Sequence, residues 1–294
     1  MVSLQLFSQS GNQGTTRIAS RWAIFSSKTS SMIGLIGLVL ISILTIAGQF
    51  LPALDHAPQL IPPAWHDTGS ADYLLGTDIV GRDIFMRLIQ GASYTLGTSL
   101  LSVSVALVVG VGLGLLAATY RSTAQLIIMR TMDVIFAIPS LVLALLVVAL
   151  LGPGLVNAGI AVCIVLLPNF IRMTANNVID EMGKEYVDAA RLDGASPVRI
   201  LFKSIMPNVA APLILQTTIA LSTAIVDIAL LGFLGLGAQS PQPEWGTMLA
   251  EARTSMHIAP WGVTFPGLAI LITVLFVNFI GDGLSRIIRS RKHN

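Results

Sequence analysis

Charge is scarce in this sequence, and that makes every charged residue inside an apolar run a candidate for chemistry. Of the 294 residues, 54% are hydrophobic and 11% are charged. A carboxylate at the centre of a bilayer costs roughly 2.5 to 3.5 kcal/mol on insertion scales, so one that persists there needs a partner or a water-lined route. Asp227 is such a residue, with no basic residue within four positions. It either lines a route, where it would attract a positively charged group on a solute, or makes a buried hydrogen bond to a neighbouring helix. Asn278 is a weaker companion candidate. Asp133 lies three residues from Arg130 and Asp282 four from Arg286, spacings that put opposite charges on one helix face, so both read as structural pairs near helix ends. Other chemistries are poorly supported. The single cysteine, Cys163, excludes an internal disulfide and reads as a small core residue. His56, His66, His257 and His293 have no ligand spacing, and none lies in an apolar run, so metal and cofactor sites are not expected. Gly183-Lys184-Glu185 lacks the upstream glycine and the following hydroxyl of a phosphate-binding loop.

The elements that must position these residues are membrane helices. A spanning helix needs roughly 20 apolar residues to cross about 30 Å of hydrocarbon. Six stretches qualify: 32–54, 96–119, 130–151, 155–175, 209–236 and 263–288. The first is too long for an ordinary signal-peptide core and lacks a small-residue cleavage site, so it reads as an uncleaved anchor. Pro139, Pro168, Pro212 and Pro266 fall inside spans, where neighbouring helices can re-satisfy the freed carbonyls. Gly110 and Gly114, four apart, offer a face for close approach of another helix, although glycine is also simply abundant here. All basic residues except Arg82, Arg87 and Arg253 fall on one side when both termini are placed in the cytoplasm. The expected organisation is a cytoplasmic tail (1–31), an anchor (32–54), an extracytoplasmic loop (55–93), a five-helix core (94–288) and a short cytoplasmic tail (289–294). In the first outer loop, Asp78 and Asp83 beside Arg82 read as a salt-bridged turn rather than a cation loop. The second, 237–262, carries Pro241, Pro243, Trp245, Pro260 and Trp261, with its aromatics at interface level. The small net charge of +2 argues against nucleic acid as a partner.

One segment breaks the apolar pattern on the cytoplasmic side. Within the segment 180–208, residues 185–208 read EYVDAARLDGASPVRILFKSIMPN, polar and proline-marked, with acids and bases interleaved. Residues 180–193 read as one helix with acids, including Glu185 and Asp188, in its early turns. Gly194 suits the left-handed conformation just past a helix end. Ser196 then caps a second helix that starts at Pro197 and stops before Pro207. Val198, Leu201, Phe202 and Ile205 form one apolar stripe opposite Arg199 and Lys203. Ala189 and Ala190 beside Gly194 permit close approach of another surface. Two short helices must dock on something, either lipid headgroups or a soluble partner, and the mixed charge suits a protein better.

The run Asp188-Ala189-Ala190, Gly194 and Ile205-Met206-Pro207 resembles the cytoplasmic "EAA" loop of ATP-binding-cassette (ABC) importer permeases, which docks on the ATPase subunit. Aspartate stands at 188 where glutamate is usual, and methionine at 206 where leucine is usual. LGTDIVGRDIFMR (75–87), LLGFLGLGAQSPQPEWGTML (230–249) and FPGLAILITVLFVNFIGDGL (265–284) resemble the C-type permeases of dipeptide and oligopeptide importers and of Sap-type systems. The resemblance covers most of the chain from about residue 30. It implies an all-α polytopic membrane protein of the type I ABC importer architecture in a bacterial inner membrane. It also implies a B-type permease partner, two cytoplasmic ATPase subunits and an extracytoplasmic solute-binding protein. Glu185, Asp188, Ala189, Ala190, Gly194, Ser196, Pro197 and Pro207 become candidates for the ATPase-coupling surface, with Asp227 and Asn278 on the solute pathway. Peptides are the expected cargo; antimicrobial peptides, polyamines and nickel are alternatives carried by the same architecture. An ion-driven carrier is the rival class, disfavoured by the lack of a visible inverted repeat.

Overall fold

The computed structural model describes residues 21–50, 58–119 and 123–291. Arg17 and the rest of the 1–20 tail, the last residues expected in the first span, Asp55, His56, Arg121, Lys292 and His293 lie outside them. The described chain is helical apart from loops and a single bridge between Thr77 and Asp83. In order the helices are α1 (Arg21–Ser26), α2 (Thr29–Gly48), α3 (Ile84–Thr119), α4 (Thr123–Ala137), α5 (Ser140–Leu151), α6 (Leu155–Met182), α7 (Glu185–Leu192), α8 (Pro197–Ile200), α9 (Met206–Phe233), α10 (Trp245–Ala252) and α11 (Trp261–Arg291). Among the described residues five helices are long and apolar enough to cross a membrane, and six if the bent pair α4–α5 counts as one span.

The bundle is built around α3 and α6, which meet through small residues. A methyl group at Gly110 would collide with Phe170, and one at Gly114 would lie 2.6 Å from the Thr174 Cβ. At the other end Gly159 faces Thr98, and its carbonyl accepts a 2.8 Å hydrogen bond from the Ser102 hydroxyl. Val103, Ala106, Ala158, Ala161, Val162 and Phe170 are buried along this seam, and α9 closes over it with Ala220, Ala224 and Ile228. The half-buried Cys163 packs on the same core. Helix α2 follows the same rule: Ser31, Gly34 and Gly37 are buried against α11 and Gly48 against Ile89 of α3, while Ile36, Val39, Leu40, Ile43 and Ile46 are exposed. Lipid tails are as apolar as leucine, so helices associate in a bilayer by close packing of small faces and leave large side chains to the lipid.

Three expected elements differ. Helix α3 begins at Ile84 rather than near residue 96, because Ile84, Ile89 and Ala92 are buried, and Ile84 and Ala92 pack in a cluster with Trp245 and Met248 of α10. The loop that precedes it is shortened accordingly. The third span is not one helix. Pro139 has an extended ψ of 133° at the start of α5, and α4 and α5 meet at 98°. Pro168, by contrast, stays inside a continuous α6, where it is buried in the core. A proline removes one helical hydrogen bond wherever it falls. Packing holds α6 straight, whereas α4 has few buried residues to resist the break. Lastly, Asp282 pairs with Lys28 (2.9 Å) and not with Arg286, which ties the start of α2 to α11 beside the Trp22–Phe25 stack of α1.

If the α3–α6 seam depends on close approach, Gly110→Ala should cost about 1 to 3 kcal/mol through overpacking against Phe170. Gly112→Ala on the exposed face of the same helix, where nothing lies within 4 Å, should be neutral. Thermal unfolding of the two purified variants, followed in detergent, compares them directly.

Candidate functional site

At one end of the bundle the 180–208 segment forms an elbow between α6 and α9. Its first helix is shorter than the sequence implies. Asp180 and Glu181 belong to the end of α6, the chain breaks at Gly183-Lys184, and α7 carries only Glu185–Leu192. Gly194 then adopts φ +78°; its N–H donates to the Arg191 carbonyl (3.0 Å) and the Ala195 N–H to the Ala190 carbonyl (3.1 Å). That double closure is a Schellman turn, and it requires the left-handed residue at position 194. The Ser196 hydroxyl caps α8 by accepting from the Arg199 N–H at 3.4 Å, and Pro197 occupies its first turn.

The second helix does not stop before Pro207. Residues Leu201–Ile205 form a π-helical turn that leads directly into α9, with Pro207 in the first turn of α9. The widened turn accommodates the proline, which has no N–H to donate and would crowd the carbonyl four residues back. This extra residue also splits the expected apolar stripe. Ile200 and Ile205 point inward, whereas Val198 is 66% and Phe202 60% exposed. Val187 (0% exposed) fixes α7 on the core, with Ala190 and Ala195 packed beside it. The outer surface presents Glu185, Asp188, Ala189, Gly194, Ser196 and Pro197, together with Leu192 at 90% exposure. Asp188 and Arg191 pair across this surface at 2.8 Å. The elbow thus has an apolar underside held by the bundle and an outer face of mixed charge with unpartnered apolar residues.

Three residues that the sequence did not single out join its rim. The Tyr186 hydroxyl donates to Glu181 Oε2 at 2.5 Å and accepts from Asn208 Nδ2 at 3.3 Å, while Lys184 Nζ donates to Glu181 Oε1. The break at Gly183 hides this cluster from any helical periodicity.

Asp227 lies half-buried on α9 and has no hydrogen-bond or ion-pair partner among the described residues. Asn278 on α11 is exposed and accepts a 3.0 Å hydrogen bond from Ser222, five positions earlier on α9 than Asp227. Asp227 and Asn278 share no hydrogen bond among the described residues. Asp133 is paired more tightly with Arg172 of α6 (2.7 Å) than with Arg130 (3.7 Å), and the Arg172 guanidinium lies over the Phe136 ring.

The opposite end of the bundle is held by a second polar cluster. Asp78 receives Arg82 Nε at 2.7 Å and Arg87 Nη1 at 2.6 Å, and Glu251 of α10 receives Arg82 Nη2 at 2.7 Å. Arg87 Nη2 lies 2.8 Å from Glu251 as an ion contact, without the alignment of a hydrogen bond. Burial pushes the Asp78 carboxyl upward, but the N–H groups of Arg82 and Val80 and the two guanidinium groups outweigh it and hold the pKa below its usual value. Asp83 takes no part in an ion pair; it caps the start of α3 by accepting from the Phe85 N–H. Glu244, fully buried, caps α10 and accepts from Thr95 of α3 at 2.9 Å. Arg87 and Glu251 are 164 positions apart, a separation that no local motif betrays.

A family described as "Binding-protein-dependent transport system inner membrane component" matches residues 110–294, more than half of the chain and inclusive of the elbow. The chain belongs to that family. This permease is 46% identical over 268 residues to the di/tripeptide transport system permease protein DppC of Pseudomonas aeruginosa, a match covering 90% of this chain and 88% of the relative. It is 45% identical over 288 residues to the peptide transport system permease protein SapC of Escherichia coli, covering 96% of this chain and 97% of the relative. Its fold is similar to the inward-facing MetNI methionine ABC transporter, with a TM-score of 0.57 and 22% identity over 70% of this chain and 97% of that one. The permease is accordingly an integral membrane transport component with the architecture of a type I ABC importer.

The Asp78–Arg82–Arg87–Glu251 cluster yields a stability prediction. Glu251→Ala removes one of two carboxylates from Arg87, whose side chain is 8% exposed, and should destabilise the folded permease by about 3 kcal/mol. The melting temperature of the purified protein measures it. The depressed Asp78 pKa adds a sign: its stabilisation is complete above the ordinary aspartate range and is lost only as pH falls through the lower, folded-state value.

Proposed function

We propose that this permease is the C-type subunit of a peptide importer of the bacterial inner membrane. It pairs with a B-type permease, takes peptides from an extracytoplasmic solute-binding protein and is driven by two cytoplasmic ATPase subunits. The observation that carries the reading is the elbow: a rigid polar platform fixed to the ends of α6 and α9, on a chain with no phosphate-binding loop. Both termini then lie in the cytoplasm with the elbow, in keeping with the basic residues gathered there. Glu185, Asp188, Ala189, Ala190, Gly194, Ser196, Pro197 and Pro207 belong to the coupling segment, with Leu192 an exposed apolar anchor. ATPase closure displaces the elbow and moves α6 and α9 with it, and ATP biases the cycle by binding one state of the assembly more tightly than the other.

Di- and tripeptides are the cargo favoured by the likeness to DppC; a Sap-type peptide system is the second reading, favoured by a match that extends over nearly all of both chains. Asp227, a carboxylate without a partner among the described residues, lines the pathway and attracts the cationic amino end of a passing peptide. Asn278 serves the same route from α11.

Two experiments in proteoliposomes containing the full complex test this. At Gly194 a Cβ would meet nothing within 4 Å, so a side chain there projects toward whatever docks. Gly194→Val should abolish ATP-driven uptake while leaving membrane insertion intact. Gly194→Asn, which tolerates the left-handed backbone, should also impair uptake, because its bulk alone meets the ATPase. Normal uptake by both variants would contradict docking at this surface. Asp227→Asn should slow uptake of peptides with a free amino terminus several-fold more than uptake of N-acetylated peptides; equal effects would remove Asp227 from the pathway.

A further inference from the structure

The elbow is attached to the bundle by two places where a helix could bend. One is the Gly183-Lys184 break between α6 and α7. The other is the stretch from Gly194 through the π-helical turn that leads into α9. If these joints were free, a displacement imposed on α7 would be absorbed by bending, and the membrane helices would stay where they were. Something must make the corner stiff.

Val187 supplies part of the stiffness, since it is fully buried and prevents α7 from lifting off the core. Apolar contacts of Val187, Ala190 and Ala195 are non-directional and still allow the helix to pivot on the core. The second constraint lies at the rim. The Tyr186 hydroxyl donates its one proton to Glu181 in the last turn of α6 and accepts from Asn208 in the first turn of α9. Asn208 is itself held by donating to the Ser204 carbonyl, at 3.1 Å, within the π-helical turn. Glu181 is 14% exposed at its side chain, and its other oxygen is occupied by Lys184 from the break itself. One phenolic oxygen therefore joins three helices at the point where both joints converge. Burial, and then the hydrogen bond to Glu181, raise the Tyr186 pKa, so the hydroxyl keeps its proton at neutral pH.

We propose that Tyr186 is a positioning residue for energy coupling: with Glu181 and Asn208 it locks α6, α7 and α9 into one corner, so that motion of the elbow becomes motion of the spans. The inference rests on the reading that the elbow receives its motion from an ATPase partner. It assigns Tyr186 a role that docking residues on the outer face do not have, since those set whether the ATPase binds, and Tyr186 sets how much of its stroke is delivered.

The test uses the complete transporter in proteoliposomes, with ATP hydrolysis and peptide uptake measured on the same preparation. Tyr186→Phe keeps the ring and removes only the hydroxyl. It should leave subunit assembly and ATP hydrolysis near the unmodified level and lower the peptide transported per ATP roughly five- to tenfold, the loss expected for one hydrogen bond of ordinary net strength. Glu181→Gln keeps a carbonyl oxygen for the Tyr186 hydroxyl and should retain most of the ratio. An unchanged ratio in Tyr186→Phe overturns the proposal. So does a parallel fall of assembly, hydrolysis and uptake, which would mark Tyr186 as merely structural. Failure of the underlying reading looks different: the unmodified complex would then take up peptide without ATP.

Discussion

Close contact between α3 and α6 is the constraint on which the rest of this permease depends. In water, two apolar helices gain by hiding surface from solvent; in lipid they gain almost nothing that way, and association depends on how near the two backbones come. Gly110, Gly114 and Gly159 set that distance. With α6 fixed against α3, its far end becomes a firm post, and the elbow is built on that post. The same logic explains why α2 buries only serine and glycine toward α11. Large apolar residues are abundant in this chain, yet the helix contacts that matter are made where they are absent.

The two ends of the bundle solve a different problem, which is how to hold polar backbone and charge beside hydrocarbon. At one end, two arginines and two carboxylates close a loop of ion contacts that joins the segment before α3, α3 itself and α10. Within that loop two positive and two negative charges compensate one another. Glu244 stitches α10 to α3 beside it. At the other end, the charges of α7 stay at the surface, and only Val187, Ala190 and the isoleucines reach inward. One end has its ions turned in, the other has them turned out to the surface.

Much of this was legible in the residues because its causes are local. Apolar run length located the spans, Gly194 and Ser196-Pro197 located the turn, and the glycine spacing located the helix seam. What was misread depended on packing partners. Proline alone could not reveal that Pro139 breaks a span while Pro168 and Pro207 are absorbed; the difference is burial at 168 and a widened turn before 207. The early start of α3 needed α10 to cover it. Asp282 was assigned to the nearest arginine in sequence, but Lys28 reaches it from the far end of the chain. Tyr186 stayed invisible because its partners sit on either side of two helix interruptions.

The π-helical turn at Leu201–Ile205 has one more implication. It stores a single surplus residue, and each residue of a helix corresponds to about 100° of rotation about its axis. The phase in which Val198 and Phe202 emerge is therefore offset from the phase of α9 inside the membrane. A chain shortened by one residue at this point would turn a different arc of the corner outward while leaving the spans untouched, so the angular setting between the elbow's exposed surface and the membrane core is an evolvable dial held in one loosened coil.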